Sequence, residues 1–282
     1  MIKPLPVIHE GAENAMKEMM EFARQLARKA GKLLAEKFSR HNPVYYKGTI
    51  DLVTEADRMS EELILSEISR RYSDHGVLSE ESEEKNGRTA LRWIVDPLDG
   101  TTNYAHGFPF FCVSIALEKD GSVVLGVVYD PMRDDLFEAS LGGGAHLNGK
   151  KLQVSSVSDL SRSLLATGFP YDIRESPDNN LDFFAAMIVK AQAIRRPGAA
   201  ALDLAYLAAG RFDGFWELKL KPWDTAAGCL LVTEAGGVLS DMKGEKWNVF
   251  SPGLVASNGL LHKQMLEVLL NTSRLKSNNI AM

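Results

Sequence analysis

Apolar residues recur at three- and four-residue spacing through Met16, Met19, Met20, Ala23, Leu26, Ala27, Ala30, Leu33 and Leu34. That stripe predicts one long amphipathic helix over roughly 12–39, with His41-Asn42-Pro43 ending it. A second helix is expected from Thr54. Glu55 and Asp57 suit the positive end of its dipole, and Met59, Leu63, Ile64 and Ile68 form its core face. From about residue 91 to 140 the texture changes. RWIVD, FCVSIALE, SVVLGVVYD and DLFEAS are short, rich in β-branched or aromatic residues, and separated by turn signals. KDGS and LGGGAHLNGKKL read as hairpins, so this stretch predicts an antiparallel sheet. Beyond about residue 160, SLLATGF, AIRR, FDGFWE and GLVASN read as strands. They alternate with helices near 179–192, over GAAALDLAYLAAG, over about 222–235 and at the C-terminus, which is the pattern of an α/β layer.

No repeat, low-complexity tract or flexible linker interrupts residues 1–282, which predict a single unit. Its subdomains are about 12–150, a helix pair plus antiparallel sheet, and 151–271, the α/β layer; the polar tail 272–282 is expected to fray. At 45% hydrophobic and 24% charged residues the composition is that of an ordinary globular protein. No apolar run approaches the roughly 20 residues that span a bilayer. The start, MIKPLPVIHEGAENAM, lacks the marks of a signal peptide. Cys112 and Cys229 are the only cysteines, which argues against a disulfide framework or a cysteine-rich zinc site. A cytoplasmic location is expected, with both cysteines in the core. The net charge of −5 and the lack of a Lys/Arg block disfavour nucleic acid as the main ligand, and no membrane role is expected. They leave room for a metal-dependent enzyme acting on a small anion.

The candidate chemistry sits in WIVDPLDGTTNY, residues 93–104. Asp96 ends a buried strand, and Gly100-Thr101-Thr102 can open a helix whose free N–H groups suit an anion. Carboxylates and an anion site are poor neighbours, since two like charges 4 Å apart repel by about 4 kcal/mol at an effective dielectric constant of 20. Divalent cations between them resolve the conflict, and an oxygen-only donor set favours Mg²⁺ or Mn²⁺. Alone, Asp-x-x-Asp-Gly is commonly a surface turn. Its company matters: Ser79-Glu80-Glu81-Ser82 lies upstream, and Pro222-Trp223-Asp224 enters an apolar helix downstream. Gly142-Gly143-Gly144 lacks a following helix and Lys-Ser/Thr, so it reads as a hairpin turn rather than a phosphate loop. His106 reads as structural or as a rim residue. Trp93 and Trp223 are expected to pack the strand and helix that aim the aspartates, and Arg195-Arg196 to face solvent, substrate or a neighbouring subunit.

WIVDPLDGTTNYAHGFPFFCVSIAL and PWDTAAGCLLVTEAGG resemble the two signatures of the inositol monophosphatase family. KGTIDLVTEAD and LSEES resemble its upstream segments, and the likeness spans roughly residues 15–270. The resemblance implies a layered αβαβα sandwich of the α+β or α/β class and a Mg²⁺-dependent, lithium-sensitive phosphomonoesterase. It further implies two to three Mg²⁺ per subunit, with Mn²⁺ as a substitute, and a homodimer. Carried onto this sequence, Glu80, Asp96 and the Leu98 carbonyl become ligands of one metal. Asp96, Asp99 and Asp224 become ligands of a second, and Glu80 helps hold a third through water. Gly100 and Thr101 offer N–H groups to phosphate, while the Thr101 hydroxyl, polarised by Asp57, orients the attacking water together with Glu80. Lys47 falls in the family's metal-site loop, and Gly198, Ala200 and Glu217 fall where polyol hydroxyls bind. The implied reaction is inositol 1-phosphate hydrolysis by in-line attack of a metal-activated water. The alternatives are fructose 1,6-bisphosphate, histidinol phosphate or 3′-phosphoadenosine 5′-phosphate as substrate, or a regulatory binding protein that retains the fold. Thr102-Asn103-Tyr104 followed by His-Gly-Phe-Pro resembles the inositol monophosphatase branch.

Overall fold

The computed structural model describes residues 10–38, 44–46 and 52–280. The expected helix stop at 41–43 and Lys47 lie outside these residues. The first half runs α1 (Glu10–Phe38), β1 (Val44–Tyr46), β2 (Leu52–Thr54), α2 (Glu55–Arg71), β3 (Gly76–Ser79), β4 (Leu91–Asp99) and α3 (Thr101–Ala105). It continues through β5 (Cys112–Lys119), β6 (Ser122–Asp130), β7 (Asp135–Ser140), β8 (Gly144–Leu147) and β9 (Lys150–Lys151). The second half runs β10 (Leu164–Thr167), α4 (Leu181–Ile188), β11 (Ala193–Arg195), α5 (Ala200–Ala208), β12 (Gly214–Leu218) and α6 (Pro222–Glu234). β13 (Val238–Ser240), β14 (Gly253–Ser257) and α7 (His262–Ile280) complete it.

β3 to β9 form one sheet in sequence order, antiparallel except for the parallel β3–β4 pair. The second sheet has the order β11-β10-β12-β14-β13 and is mixed: β10, β11 and β12 run parallel, while β14 opposes both β12 and β13. β1 and β2 make a separate two-stranded ribbon. Both expected hairpins are present. Asp120-Gly121 and Asn148-Gly149 turn with positive φ at both positions, the geometry that matches the twist of antiparallel strands.

Strand alternation assigns the side chains to layers. On β5, Val113, Ile115 and Leu117 face α1 and α2, while Cys112 and Ala116 face α5 and α6. On β12, Phe215 faces α5 and α6, while Trp216 and Leu218 face the outer core beneath α4 and α7. The result is an αβαβα sandwich with three stacked cores. The middle helices are squeezed between two sheets, which explains the run of small residues in Ala226-Ala227-Gly228. A Cβ at Gly126 would stand 2.9 Å from the backbone of Ala227, and one at Gly228 would stand 2.6 Å from Cβ of Leu204. Adding either Cβ would force the layers apart.

Several expectations need correction. The helix placed at 179–192 is only Leu181–Ile188, because the chain must leave it to enter β11 at Ala193. Helix α7 takes in residues 272–280 of the polar tail. Strands β3 and β13 were not foreseen; each is an edge strand of three or four residues. The buried stripe of α2 is Ala56, Asp57, Ser60, Glu61, Ile64 and Ile68, with Met59 and Leu63 only half-buried. Half of that stripe is polar, and those polar residues serve the site described next. Among the described residues no helix is long and apolar enough to cross a membrane.

Candidate active site

Asp96 and Asp99 are separated by an odd number of positions, so on a regular strand they would face opposite sides of the sheet. They do not, because β4 carries a bulge. Asp96 pairs with Ser114 and Asp99 with Cys112, so Pro97 and Leu98 stand opposite Val113 alone. The extra residue restores both aspartates to the face that looks toward α5 and α6. Proline suits the bulge because it has no N–H to withhold from the ladder. The Pro97 carbonyl accepts a hydrogen bond from Ser60 Oγ at 2.8 Å, and the Leu98 N–H donates to Asp96 Oδ1 at 3.0 Å. The Leu98 side chain is fully buried in the core beneath α1 and α2, leaving its carbonyl at the site.

Gly100 then takes φ 97° and starts α3. A side chain there would be strained by the left-handed backbone and would press on the Phe110 carbonyl at 3.0 Å. The Thr101 hydroxyl lies 2.9 Å from Asp57 Oδ1 and 3.1 Å from the Leu98 carbonyl. Asp57 is itself fixed by the start of α2, where its Oδ2 accepts from the Thr54 N–H at 2.8 Å and the Thr54 hydroxyl at 2.5 Å. Asp57 does not line the cavity; it reaches it through Thr101.

One cavity of about 470 Å³ collects Glu80, Asp96, Leu98, Asp99, Gly100, Thr101, Gly198, Ala200, Glu217 and Asp224. These residues come from β3, β4, α3, α5, β12 and α6 and from the turns beside them. Asp224 enters at the first turn of α6, where Oδ2 accepts from the Lys221 N–H at 2.7 Å. Asp99 Oδ2 accepts from the Ala201 N–H at 2.7 Å, at the start of α5. Phe169, Pro170, Tyr171 and Asp172 form a wall not foreseen from sequence, and Arg196, Lys219 and Lys221 add positive charge to it. Lys219 Nζ donates to Asp172 at 2.6 Å and to Ser176 Oγ at 2.9 Å, which ties that wall to the end of β12. Trp223 lines the cavity, whereas Trp93 is buried and donates to His75 Nδ1 at 3.2 Å. His106 is exposed at the end of α3. The triglycine turn does bind an anion, but an internal one: the N–H groups of Gly142 and Gly144 each donate to the Glu234 carboxylate at 2.8 Å.

The electrostatics are those of crowded acids. Burial, then the charges of Glu80, Asp99 and Asp224, push the Asp96 carboxyl well above its usual range. Burial raises Asp99 to about 6, against the opposing pull of the Ala201 N–H, the Cys112 thiol and neighbouring N–H groups. Burial and the Asp99 charge raise Asp224 to about 7. Burial and the Asp224 charge raise Glu217 to about 8, with Arg196 opposing. A donor set of carboxylates and one carbonyl fits a hard divalent cation in kind. As the side chains lie, no group of three His, Cys, Asp or Glu among the described residues could hold an ion, so the carboxylates would have to turn inward on binding.

The sequence profile of the inositol monophosphatase family matches residues 15–276. The chain is 43% identical over 254 residues to Nus factor SuhB of Escherichia coli (strain K12), covering 89% of this chain and 95% of that protein. It is 43% identical over 246 residues to inositol-1-monophosphatase of Mesorhizobium japonicum, covering 86% and 92%. The inositol monophosphatase structure from Anabaena superposes with a TM-score of 0.84 at 40% identity, covering 91% of this chain and 97% of that one.

Proposed function

The chain belongs to the inositol monophosphatase family of phosphatases, and from that premise we propose that it hydrolyses small polyol monophosphates, with inositol 1-phosphate the preferred substrate. The observation that carries this reading is the single cavity in which four carboxylates, the Gly100–Thr101 turn and Glu217 converge. Glu80, Asp96 and the Leu98 carbonyl would hold one Mg²⁺, and Asp96, Asp99 and Asp224 a second, with a third held more weakly near Glu80. Bound cations supply neutralisation of phosphoryl charge and acidify water at the site.

The protein's own groups do the rest. The backbone N–H groups of Gly100 and Thr101 take phosphoryl oxygens. By donating to Asp57, the Thr101 hydroxyl keeps its lone pairs for a water, which Glu80 flanks. Glu217 and the Gly198–Ala200 turn face the leaving polyol, since a carboxylate can accept from two hydroxyls. Attack in line with the leaving oxygen needs positioning and charge neutralisation rather than a covalent intermediate. Solvent ¹⁸O is therefore expected in phosphate after one turnover; a trapped phosphoenzyme would overturn this.

Glu217 can stand where it does only because residue 168 has no side chain. A Cβ at Gly168 would fall on both oxygens of the Glu217 carboxylate. The backbone there cannot yield, because the Gly168 carbonyl accepts from Asn180 Nδ2 at 2.6 Å and Asn180 accepts from Trp216 Nε1 at 2.8 Å. Gly168→Ala is expected to displace Glu217 and raise KM for the polyol phosphate roughly tenfold, with a smaller change in kcat. Steady-state kinetics check this, and an unchanged KM would remove Glu217 from the substrate face.

The deciding experiment is phosphate release from a panel of phosphate esters with Mg²⁺. Inositol 1-phosphate is expected to give the highest kcat/KM, and preference for fructose 1,6-bisphosphate, histidinol phosphate or 3′-phosphoadenosine 5′-phosphate would reassign the substrate. The likeness to a protein named as a Nus factor favours a second reading, a regulatory role through a partner. Wild type and Asp99→Asn equally inert on every ester would favour that role alone. Inhibition by Li⁺, a homodimer by light scattering and a cytoplasmic location complete the reading.

A further inference from the structure

The polar half of the α2 stripe makes three separate attachments to the site. Asp57 holds the Thr101 hydroxyl, Ser60 holds the Pro97 carbonyl in the β4 bulge, and Glu61 reaches the turn that carries Glu80. The three residues share one face of a helix, so their attachment points move as one body. The first two secure β4, which is paired into the sheet, and the start of α3 directly after it. The third differs: β3 is the edge strand of its sheet and ends at Ser79, and residues 80–82 form an irregular bend.

Glu61 is buried, 7% exposed, and its two oxygens close around that bend. Oε1 accepts from the Ser79 hydroxyl at 2.5 Å and from the Glu81 N–H at 3.1 Å. Oε2 accepts from the Ser82 hydroxyl at 2.6 Å. The donors flank Glu80 on both sides, so the backbone on either side of it is held while its side chain lines the cavity. We propose that Glu61 is a positioning residue for divalent-cation binding: it fixes the 79–82 turn so that the Glu80 carboxylate meets Asp96. This rests on the metal-site reading above. A carboxylate suits the task because three donors converge on it. An amide would retain one acceptor oxygen and would turn N–H groups toward donors.

The test is Mn²⁺ binding to the full chain without substrate, followed by electron paramagnetic resonance, beside thermal unfolding and steady-state kinetics. Glu61→Ala is expected to weaken Mn²⁺ binding about tenfold, the scale set by groups that orient metal ligands. It should raise the Mg²⁺ needed for half-maximal phosphate release by a similar factor. KM for substrate at saturating Mg²⁺ should stay within about twofold, because Glu217 and Gly198 are held by other elements. Glu61→Gln, retaining one acceptor, should recover part of the loss. A merely structural residue would lower thermal stability without this split between metal and substrate.

A folded Glu61→Ala that binds Mn²⁺ as wild type does would overturn the proposal. If Glu61→Ala does not fold, Ser82→Ala decides: weaker Mn²⁺ binding supports the proposal and unchanged binding overturns it. A wild-type chain that binds Mn²⁺ without releasing phosphate from any ester defeats the substrate reading alone, and the binding comparison still judges Glu61. A wild-type chain that binds no Mn²⁺ defeats the metal reading and this proposal with it.

Discussion

Asp96→Asn is expected to abolish phosphate release while making the cation-free protein harder to unfold. Asp96 is 1% exposed and faces Glu80, Asp99 and Asp224. A charge there costs free energy twice, once for leaving water and once for repulsion by its neighbours. The amide keeps the side-chain shape and the acceptor for the Leu98 N–H, so packing is retained. Removing the charge should stabilise the cation-free fold by on the order of 2 kcal/mol, a few degrees in Tm for a chain of this size. Activity should fall by about 10³-fold or more, the scale of losing one preorganised electrostatic group at the reacting centre.

The two effects must appear together. Thermal unfolding in EDTA reads the first and phosphate release with Mg²⁺ reads the second. Added Mg²⁺ should raise the wild-type Tm and leave the variant nearly unmoved, because Asp96 is the one carboxylate proposed to serve both metals. A variant less stable than wild type in EDTA would show that Asp96 is held by favourable contacts rather than kept for its charge. A variant retaining a tenth of the activity would show that it does not bridge.

Much of the candidate site was legible because its parts are local in sequence. Asp96, Leu98, Asp99, Gly100 and Thr101 are nearly consecutive, and Asp224 opens a helix whose apolar period announces it. What those five residues face was not legible. Asp-x-x-Asp on a regular strand would point its carboxylates apart, and only the pairing of β4 with β5 reveals the bulge that turns them together. Long strands rich in β-branched residues, such as β5 and β6, could be read, whereas β3 and β13 are too short to show a period. The apolar face assigned to α2 missed Ser60 and Glu61, because a periodicity search counts apolar residues and these two are buried by hydrogen bonds. The wall at Phe169–Asp172 and the space Gly168 leaves for Glu217 depend on residues about fifty positions apart, which no local pattern encodes. The triglycine turn was read by elimination as a hairpin, and its carboxylate partner Glu234 comes from α6, outside any local window.

The cation-free protein is also expected to lose stability as pH rises from 5 to 8, and Mg²⁺ should restore more at pH 8 than at pH 5. Asp99, Asp224 and Glu217 hold their protons to about 6, 7 and 8 in the folded chain. In the unfolded chain they release them at about 4. Between those values the folded state binds more protons than the unfolded one, so unfolding becomes easier as pH rises. The penalty from these three is absent below about pH 4 and grows until each has lost its proton, the last of them at about pH 8. Each unit of difference is worth about 1.4 kcal/mol, so the neighbouring acids, titrating as a set, should lower Tm by roughly 10 °C across the window. Mg²⁺ replaces the protons, and at pH 5 it must compete with them, so its stabilising effect should grow with pH. Two histidines act with the opposite sign. Burial lowers both His75 and His262, so they add stability as pH rises toward about 6.5, the range in which their unfolded forms lose the proton. Their contribution is spent by pH 7, which leaves the interval from 7 to 8.5 to the raised acids, Asp224 and Glu217 together with Asp96 and Asp203. Over that interval Tm in EDTA should fall for wild type, fall less for Glu217→Gln, and less again when Asp224→Asn is added. A wild-type Tm that is flat or rising there would show that these carboxylates are already ionised without a cation.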